Sequence, residues 1–248
     1  MAGLDWLIAR PIAHRGLHDA ANGVIENTPS AFHAAIAGRY GIECDLQITA
    51  DGEAIVHHDA QLGRLTEGQG RLATMTAEAL KRVAFTATAD HMITLGELCD
   101  LVAGRVPLLL ELKSHFDGDE RLVRRVVEVL RSYSGPVAAM SFDPDQVSML
   151  RDLAPKLARG IVAERWYRHR EWSRLTWARR KTMAHLLHAP ATRPHFVAYS
   201  VKDLPTAATW LAHALFGRPL LAWTVRTEAD RARAARHASQ IIFEGFRP

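Results

Sequence analysis

The chain alternates between short, continuous apolar runs and stretches in which apolar residues recur every three or four positions. Continuous runs are typical of parallel strands buried on both faces, and the spaced pattern is typical of amphipathic helices. The runs predict eight strands, at residues 11–14, 42–48, 107–113, 136–142, 159–163, 196–201, 220–225 and 241–244. Most lie about 20 to 40 residues apart, as helical crossovers between parallel strands require. The pattern predicts an α/β fold, an eight-stranded (β/α) barrel of the TIM type.

Helix-start signals stand between several of these runs. Thr28 followed by Pro29 has the form of an N-cap with proline at the first helical position, and Thr94 and Glu97 have the spacing of a capping box. The predicted helices cover residues 30–37, 77–83, 98–102, 120–131 and 230–237.

One region interrupts the alternation after the second strand. Asp51 and Gly52 suit a tight hairpin turn, which predicts that residues 54–57 return antiparallel to that strand. We expect an insertion at about residues 50–92, between the second and third barrel strands, within a single domain over residues 1–248.

Composition narrows the class of protein. The chain has 248 residues, 48% hydrophobic and 23% charged, which is typical of globular proteins, and no apolar run is long enough to span a membrane. The first residues lack the basic and apolar pattern of a signal peptide, and two cysteines cannot form a disulfide framework. We therefore expect a reduced, cytoplasmic protein.

Charge is concentrated in one segment. The whole chain has a net charge of +4, but residues 165–193 alone have +7, so the remainder has −3. A nucleic-acid-binding protein should be basic across a whole face, so this distribution argues against a nucleic-acid partner. This segment can be a solvated loop and helix, a lid over the active-site end of the barrel, or a peripheral contact with an anionic membrane. Its arginines alternate with four aromatic residues, Trp166, Tyr167, Trp172 and Trp177.

Acidic side chains occupy two neighbouring strands of the predicted barrel. Glu43 and Asp45 are two positions apart, so both project to one face of the second strand, and Glu111 lies in the third. Three buried carboxylates without a cation would be costly, and oxygen ligands of this kind suit Mg²⁺ or Ca²⁺. An ion-paired structural cluster with Arg15 and Lys113 is the alternative interpretation.

Basic and imidazole groups stand at the same end of the predicted barrel. Arg15 and Lys113 can bind an anion such as phosphate, and His14 and His58 can donate and accept protons. Alternation along the chain places His57 and His58 on opposite faces, so only one of them is expected to enter the site. A metal, cationic anchors and paired imidazoles together favour phosphodiester cleavage.

Motifs in chain order resemble those of the glycerophosphodiester phosphodiesterase family. The segments that carry the resemblance are His14-Arg15-Gly16, Glu26-Asn27-Thr28, Glu43-x-Asp45, Asp51-Gly52, His58-Asp59, Thr66-x-Gly68-x-Gly70, Glu111-x-Lys113, Ser141-Phe142 and Trp223-Thr224-Val225. The resemblance implies a (β/α) barrel with a small insertion, and metal-dependent hydrolysis of glycerophosphodiesters to glycerol 3-phosphate and an alcohol.

The resemblance also implies roles, residue by residue. Glu43, Asp45 and Glu111 match the family's metal ligands, His14 and His58 match its general acid and base, and Arg15 and Lys113 match its phosphate contacts. Trp223 is expected in the wall around glycerol, while Glu26 and Asn27 are expected to support the site or to cap the first helix. The attacking group stays open between a neighbouring glycerol hydroxyl, through a cyclic phosphate, and a water.

Three positions depart from the family pattern. Arg226 stands where the family typically has Asn, and the closing segment resembles the family's Thr-Asp ending but has Phe243 and Glu244. These departures concern the wall around glycerol and hence the substrate more than the reaction. The alternative activity is lysophospholipase D-like, on lysolipids at a membrane surface, with the aromatic, basic segment of residues 165–193 as the apolar dock. A non-catalytic phosphate- or lipid-binding barrel is the third interpretation, although a degenerate site should have lost one of the polar residues named above.

Overall fold

Eight parallel strands close into a barrel in the computed structural model, which describes residues 3–248 apart from the side chains of residues 170 and 171. A ninth strand, β3, forms an antiparallel hairpin with β2. The barrel order is β1-β2-β4-β5-β6-β7-β8-β9, and β9 closes onto β1. The strands are β1 (Ile12–Ala13), β2 (Gly41–Ile48), β3 (Ala54–Val56), β4 (Leu108–Leu112), β5 (Val137–Ser141), β6 (Ala158–Ala163), β7 (Phe196–Ser200), β8 (Leu220–Val225) and β9 (Gln240–Phe243).

Helices fill the connections between the strands. The α-helices are α1 (Asp5–Ile8), α2 (Pro29–Ala37), α3 (Ala77–Lys81), α4 (Leu95–Val102), α5 (Arg121–Leu130), α6 (Pro144–Leu153), α7 (Trp177–Ala184), α8 (Ala189–Thr192), α9 (Ala207–Trp210) and α10 (Glu228–His237). Single 3₁₀ turns occur at Ala20–Asn22, Leu72–Thr74, Arg170–Arg174 and Val201–Asp203, and α9 continues into a π-helical turn at Leu211–Leu215.

The predicted barrel is confirmed. The differences lie at the ends of elements and in five helices that the sequence pattern did not predict, α1 and α6 to α9. The capping box at Thr94 and Glu97 is present, and it begins α4 three residues before the predicted start. Thr28 is the N-cap residue of α2, but its hydroxyl donates to the carbonyl of Ile25 (2.7 Å) instead of capping the helix. The N–H of Ser30, at the second helical position, donates instead to Asp90 Oδ2 at 3.4 Å.

Apolar side chains fill the barrel interior. Leu7 of α1 belongs to this inner cluster, so the N-terminal helix contributes to the packed interior. Gly160 of β6 lies beside Phe196 of β7, and a Cβ atom at position 160 would come within 2.2 Å of the phenyl ring. Only glycine leaves room for this ring, which is fully buried. The inner cluster consists of Leu7, Ile12, Leu109, Ala138, Met140, Val162, Phe196, Ala198, Leu221 and Ile242.

The insertion between β2 and β4 has a hydrophobic cluster of its own. Gly52 takes a positive φ of 80° at the hairpin turn between β2 and β3, as the Asp-Gly pair predicts. Glu53, beside that turn, pairs with Arg125 of α5 at 2.8 Å, which links the hairpin to the barrel's outer layer. The cluster is made of Ile25, Ile55, Leu62, Leu72, Leu80, Phe85 and Met92.

Two further observations concern the predicted environment. Cys44 and Cys99 are buried free thiols. Within residues 3–248, none of the helices combines the length and the apolar character that a membrane span requires.

Candidate active site

Three carboxylates meet at one end of the barrel. Asp45 of β2 and Glu111 of β4 are direct partners in the parallel register, and Glu43 lies two positions before Asp45 on the same face. One carboxylate oxygen from each of the three lies within 4.8 Å of the others, and all three residues are buried. The structure therefore brings together the three acidic residues that the sequence singled out.

Glu43 has a free oxygen in this cluster. Its Oε2 accepts the backbone N–H of Arg15 at 2.9 Å, whereas its Oε1 is buried and has no hydrogen-bond partner. Burial, together with the nearby charges of Asp45 and Glu111, raises the pKa of Glu43 well above its usual range. A buried, unsatisfied carboxylate oxygen beside two further carboxylates fits a hard divalent cation, which would supply the missing charge and ligand contact.

Lys113 is ion-paired with the other two carboxylates. Its Nζ lies 2.8 Å from Asp45 Oδ1 and 2.5 Å from Glu111 Oε1. Burial by itself would raise the pKa of Asp45, but the charges of Lys113 and Arg15 hold it well below its usual range. The ion pairs of Asp45 and Glu111 agree with a structural ion-paired cluster. The unsatisfied oxygen of Glu43 agrees with a metal site.

The loop after β1 is folded against this cluster. Arg15 has a φ of 55° and Asn27 a φ of 57°, values that non-glycine residues rarely adopt. Gly16 follows at φ 80°, and a Cβ atom there would approach the Cβ of Ala31 to 2.8 Å. This backbone path places the Asn27 amide against Asp45, with Nδ2 donating to Oδ2 at 2.8 Å and Oδ1 accepting the Asp45 N–H at 3.2 Å. Asn27 therefore fixes a candidate metal ligand.

A chain of ion pairs joins the β1 loop to the insertion. Arg15 Nη1 donates to Glu26 Oε1 at 2.7 Å, and Arg15 Nε lies 3.3 Å from Asp45 Oδ2. Arg64 of the insertion donates to the same Glu26 oxygen at 2.7 Å and to Asp59 at 2.5 Å. Burial alone would raise the pKa of Glu26, but the bonds from Arg64 and Arg15 lower it to about 2. Sequence reasoning missed Arg64, because no motif marks it.

His58 follows the hairpin strand, and the same chain of ion pairs holds it. Its Nδ1 bonds Asp59 Oδ1 at 2.8 Å, and its backbone carbonyl accepts Gln47 Nε2 at 2.8 Å. His57 is 2% exposed, lies 6.3 Å from the Phe85 ring and has no partner for Nδ1. The two neighbouring rings thus have different surroundings, as strand alternation predicts.

His14 follows β1, and Glu244, which follows the neighbouring strand β9, bonds its ring. Its Nδ1 bonds a carboxylate oxygen of Glu244, and the ring is mostly buried. Burial lowers the pKa of His14, with Glu244 acting in the opposite direction. Asp45 is close enough to act electrostatically on both His14 and His58, so the two imidazoles lie around the same carboxylate cluster.

An aromatic wall covers the barrel interior at the same end. Trp223 of β8 and Phe142 after β5 pack against the inner cluster, with ring centroids 5.5 Å apart. Phe142 also packs against Trp172, with ring centroids 4.8 Å apart, and against Tyr167, with ring centroids 6.4 Å apart. Trp223 therefore lies in an aromatic wall at this end of the barrel, while its contact with glycerol stays a prediction.

The basic segment of residues 165–193 is only partly solvated. Tyr167 and Trp172 are buried, so the interpretation as a solvated loop is wrong for half of its aromatic residues. They are buried because they pack on each other and on Phe142. Trp166 and Trp177 are 49% and 74% exposed, respectively.

Comparison with known proteins agrees with this architecture. The family model described as "Glycerophosphoryl diester phosphodiesterase family" matches residues 14–243, and the chain belongs to this family of phosphoric diester hydrolases. This confirms the resemblance found in the sequence motifs.

Several relatives and solved structures are similar to the chain. Glycerophosphodiester phosphodiesterase of Caldanaerobacter subterraneus subsp. tengcongensis is 32% identical over 61% of this chain and 65% of its own length. Glycerophosphodiester phosphodiesterase 1 of Bos taurus is 29% identical over 65% of this chain, which spans about half (49%) of that protein. The fold is similar to that of an Oleispira antarctica phosphodiesterase solved with the product sn-glycerol-3-phosphate (TM-score 0.76, 21% identity, 94% of this chain and 91% of that chain). It is also similar to the Thermotoga maritima glycerophosphodiester phosphodiesterase (TM-score 0.70, 20% identity, 94% and 92%).

Proposed function

We propose that this chain hydrolyses glycerophosphodiesters to glycerol 3-phosphate and an alcohol, in a reaction that depends on a divalent cation, Mg²⁺ or Ca²⁺. Glu43, Asp45 and Glu111 would hold the cation. The observation that carries the proposal is the unsatisfied, buried Oε1 of Glu43 beside the other two carboxylates. When bound, the cation supplies positive charge that offsets the phosphate and lowers the pKa of an oxygen nucleophile.

The remaining polar residues bind the phosphate and move protons. Arg15 and Lys113 present guanidinium and ammonium groups beside the carboxylates, and both suit a phosphate group. His14 and His58 each bond a carboxylate through Nδ1, so the proton stays on that nitrogen and Nε2 can accept or donate one. One ring takes the proton of the attacking hydroxyl or water while the other protonates the leaving alkoxide.

The test is release of glycerol 3-phosphate from purified protein. Glycerophosphodiesters with different alcohols are incubated with protein treated with a chelator and then supplied with Mg²⁺ or Ca²⁺. We expect release only after a metal is returned. Absence of release from every substrate would overturn the activity, whereas full release after chelation would overturn the metal dependence alone. Transient cyclic phosphate, followed by ³¹P NMR, would identify a glycerol hydroxyl as the attacking group.

A second candidate is action on lysolipids at an anionic membrane surface. Arg165 and Arg168 lie 4.8 and 4.9 Å from the exposed ring of Trp166, and Lys181 lies 5.8 Å from that of Trp177. Exposed tryptophans beside cationic side chains suit the headgroup region of a bilayer. A cytoplasmic location stays a prediction, as does the lid interpretation of this segment.

Vesicle sedimentation tests the membrane candidate. We expect wild-type protein to sediment with vesicles that contain anionic lipid and not with zwitterionic ones, with loss of binding in Trp166→Ala and Trp177→Ala. Trp210→Ala is the matched control, because that ring is 61% exposed on α9, outside residues 165–193. Binding that ignores lipid charge, or that falls equally in the control, would overturn this candidate. A rate that rises with acyl-chain length would favour lysolipids over water-soluble diesters.

A further inference from the structure

His14 and Glu244 follow two neighbouring strands at the same level of the barrel. Ala13 of β1 is the register partner of Phe243 of β9, so the next residue of each strand emerges side by side. The backbone N–H of His14 donates to the Phe243 carbonyl at 2.9 Å. Strand register therefore forces the imidazole and the carboxylate together, and His14 Nδ1 bonds Glu244 Oε2.

Arg226 holds the other oxygen of the same carboxylate. It follows β8, whose Val225 is the register partner of Phe243, and the Glu244 N–H donates to the Val225 carbonyl at 3.2 Å. Arg226 Nε donates to Glu244 Oε1 at 2.6 Å. Two of the positions at which the sequence departs from its family pattern, Arg226 and Glu244, are thus in direct contact with each other.

Glu244 is an ionised group inside this arrangement. Burial alone would raise its pKa, but the bonds from His14 and Arg226, with His18 nearby, lower it far below the usual range. An ionised carboxylate only accepts hydrogen bonds, so His14 must carry a proton on Nδ1.

We infer that Glu244, anchored by Arg226, is a positioning residue that fixes the ring and tautomer of His14 and leaves Nε2 as the nitrogen that exchanges protons with the substrate. This inference rests on the proposed function. The negative charge opposite Nδ1 also stabilises the imidazolium that forms when Nε2 takes a proton, as the aspartate does in serine-protease triads. Without the carboxylate the ring can rotate and adopt the other tautomer.

Other charged groups face the His14 ring from the surrounding strands. Arg15, next in the chain, disfavours the imidazolium, and Asp45 of β2 favours it. His18 lies on the far side of the carboxylate, with Nε2 3.6 Å from Glu244 Oε2. His14, His18 and Glu244 also have ligand atoms within 4.8 Å of one another, a spacing that a metal ion could use. The experiment must therefore separate a positioning carboxylate from a second metal site.

Three substitutions at position 244 make that separation. Glu244→Asp keeps the charge, Glu244→Gln keeps an acceptor oxygen without the charge, and Glu244→Ala removes both. Glu228→Gln is the matched control, because Glu228 also pairs with an arginine, Arg231, at 3.3 Å but is highly exposed on α10. For each protein we would measure kcat and KM against pH, the ¹⁵N shifts of the imidazole nitrogens, thermal stability and metal stoichiometry.

We expect kcat to fall in the order Glu, Asp, Gln, Ala, by about 10-fold for Gln and about 100-fold or more for Ala, with KM nearly unchanged. Loss of the carboxylate disfavours the imidazolium, so one limb of the pH profile moves to lower pH in Glu244→Gln. Movement of the acid limb assigns His14 as base, and movement of the alkaline limb assigns it as acid. The His14 Nδ1–H signal, which needs no turnover, should be lost in Glu244→Ala and retained in Glu228→Gln.

Two results would overturn the inference. One is that kcat in the three variants at position 244 falls only in proportion to their thermal stability, while the pH profile and the His14 tautomer are the same as in the wild type. The other is loss of a second bound ion in Glu244→Gln, which would make Glu244 a metal ligand. If wild-type protein releases no glycerol 3-phosphate at all, the proposed function fails, and the tautomer measurement still decides the role of Glu244.

Discussion

Lys113 Nζ lies 2.8 Å from Asp45 Oδ1, so a lysine shares the carboxylate cluster in which we propose a cation binds. The same ammonium group is a candidate contact for the substrate phosphate. A bound cation and Lys113 would therefore compete for the negative charge of Asp45, and cation binding would leave Lys113 freer to bind an anion.

Lys113→Met should separate these two effects. Removal of a positive charge within a few ångströms of the cation should tighten Mg²⁺ or Ca²⁺ binding by about 10-fold, since charges at such distances interact by about 1 kcal/mol or more. The same change should raise KM for the diester, because a phosphate contact is lost. Calorimetric titration with metal and steady-state kinetics measure the two quantities.

Lys81→Met is the control for this experiment. Lys81 pairs with Glu97, so it is also a lysine bound to a glutamate, but it lies on α3 of the insertion. Weaker metal binding in Lys113→Met would contradict the prediction and would make Lys113 a structural partner that holds the carboxylates in place.

Glu43→Gln should remove the response of the protein to metal. The amide oxygen can still accept the Arg15 N–H, and the raised pKa of Glu43 means that its charge is disfavoured without metal, so a neutral amide should leave the metal-free protein unchanged or more stable by about 1 kcal/mol. Wild-type protein at a metal concentration 100 times Kd should gain about 2.7 kcal/mol, and the variant should gain almost none. Denaturant unfolding with metal and with chelator measures both values.

Glu67→Gln is the matched control, because Glu67 is an exposed glutamate of the insertion. It should keep the full metal response. A normal metal response in Glu43→Gln would show that the cation binds elsewhere.

His57 and His58 offer a comparison between adjacent histidines. His58→Gln should lower kcat by about 10² to 10⁴ with metal binding and stability nearly intact, as loss of a general acid or base does. His57→Gln should instead lower stability and leave kcat nearly unchanged, because that ring packs beside Phe85. His14→Gln should resemble His58→Gln. Rates and unfolding curves on the same preparations test this, and equal rates for His58→Gln and wild type would refute its role.

His188 should make the fold sensitive to mild acid. Burial lowers its pKa from 6.5 to about 4, so between these values the unfolded chain binds a proton that the folded chain does not. The free energy of unfolding is therefore highest above pH 6.5 and falls as the pH drops below it. At pH 5 the loss that His188 causes should be about 2 kcal/mol. The difference in unfolding free energy between pH 7.5 and pH 5 should be smaller by that amount in His188→Gln.

His185→Gln serves as the control in the same segment, since His185 is exposed. Its unfolding free energy should depend on pH as that of the wild type does. An identical pH dependence in all three proteins would show that His188 titrates normally in the fold.

The sequence predicted the barrel and the acidic cluster because both follow from local periodicity. Apolar runs of strand length marked the eight barrel strands, and the spacing of two between Glu43 and Asp45 fixed their common face. The capping box at Thr94 could also be predicted from the sequence, because its partner Glu97 is only three residues away.

Contacts between residues far apart in the chain could not be predicted from local periodicity. The sequence marked Asn27 only as a supporting or capping residue, and its bond to Asp45 depends on a loop with positive φ values. Arg64 reaches Glu26 only because the insertion folds back on the barrel. Burial of Trp172, in a segment with a strong net positive charge, depends on Phe142, which follows a different strand.

The sequence by itself thus determined the fold and the family, and it marked the residues that we propose hold a metal and move protons. Tertiary structure alone decided how those residues are held: His14 and Glu244 are 230 positions apart and meet only when β9 closes the barrel against β1. The physical reason is that side-chain periodicity specifies which face of a strand a residue occupies. The register between strands, set by closure of the whole sheet, specifies what it faces.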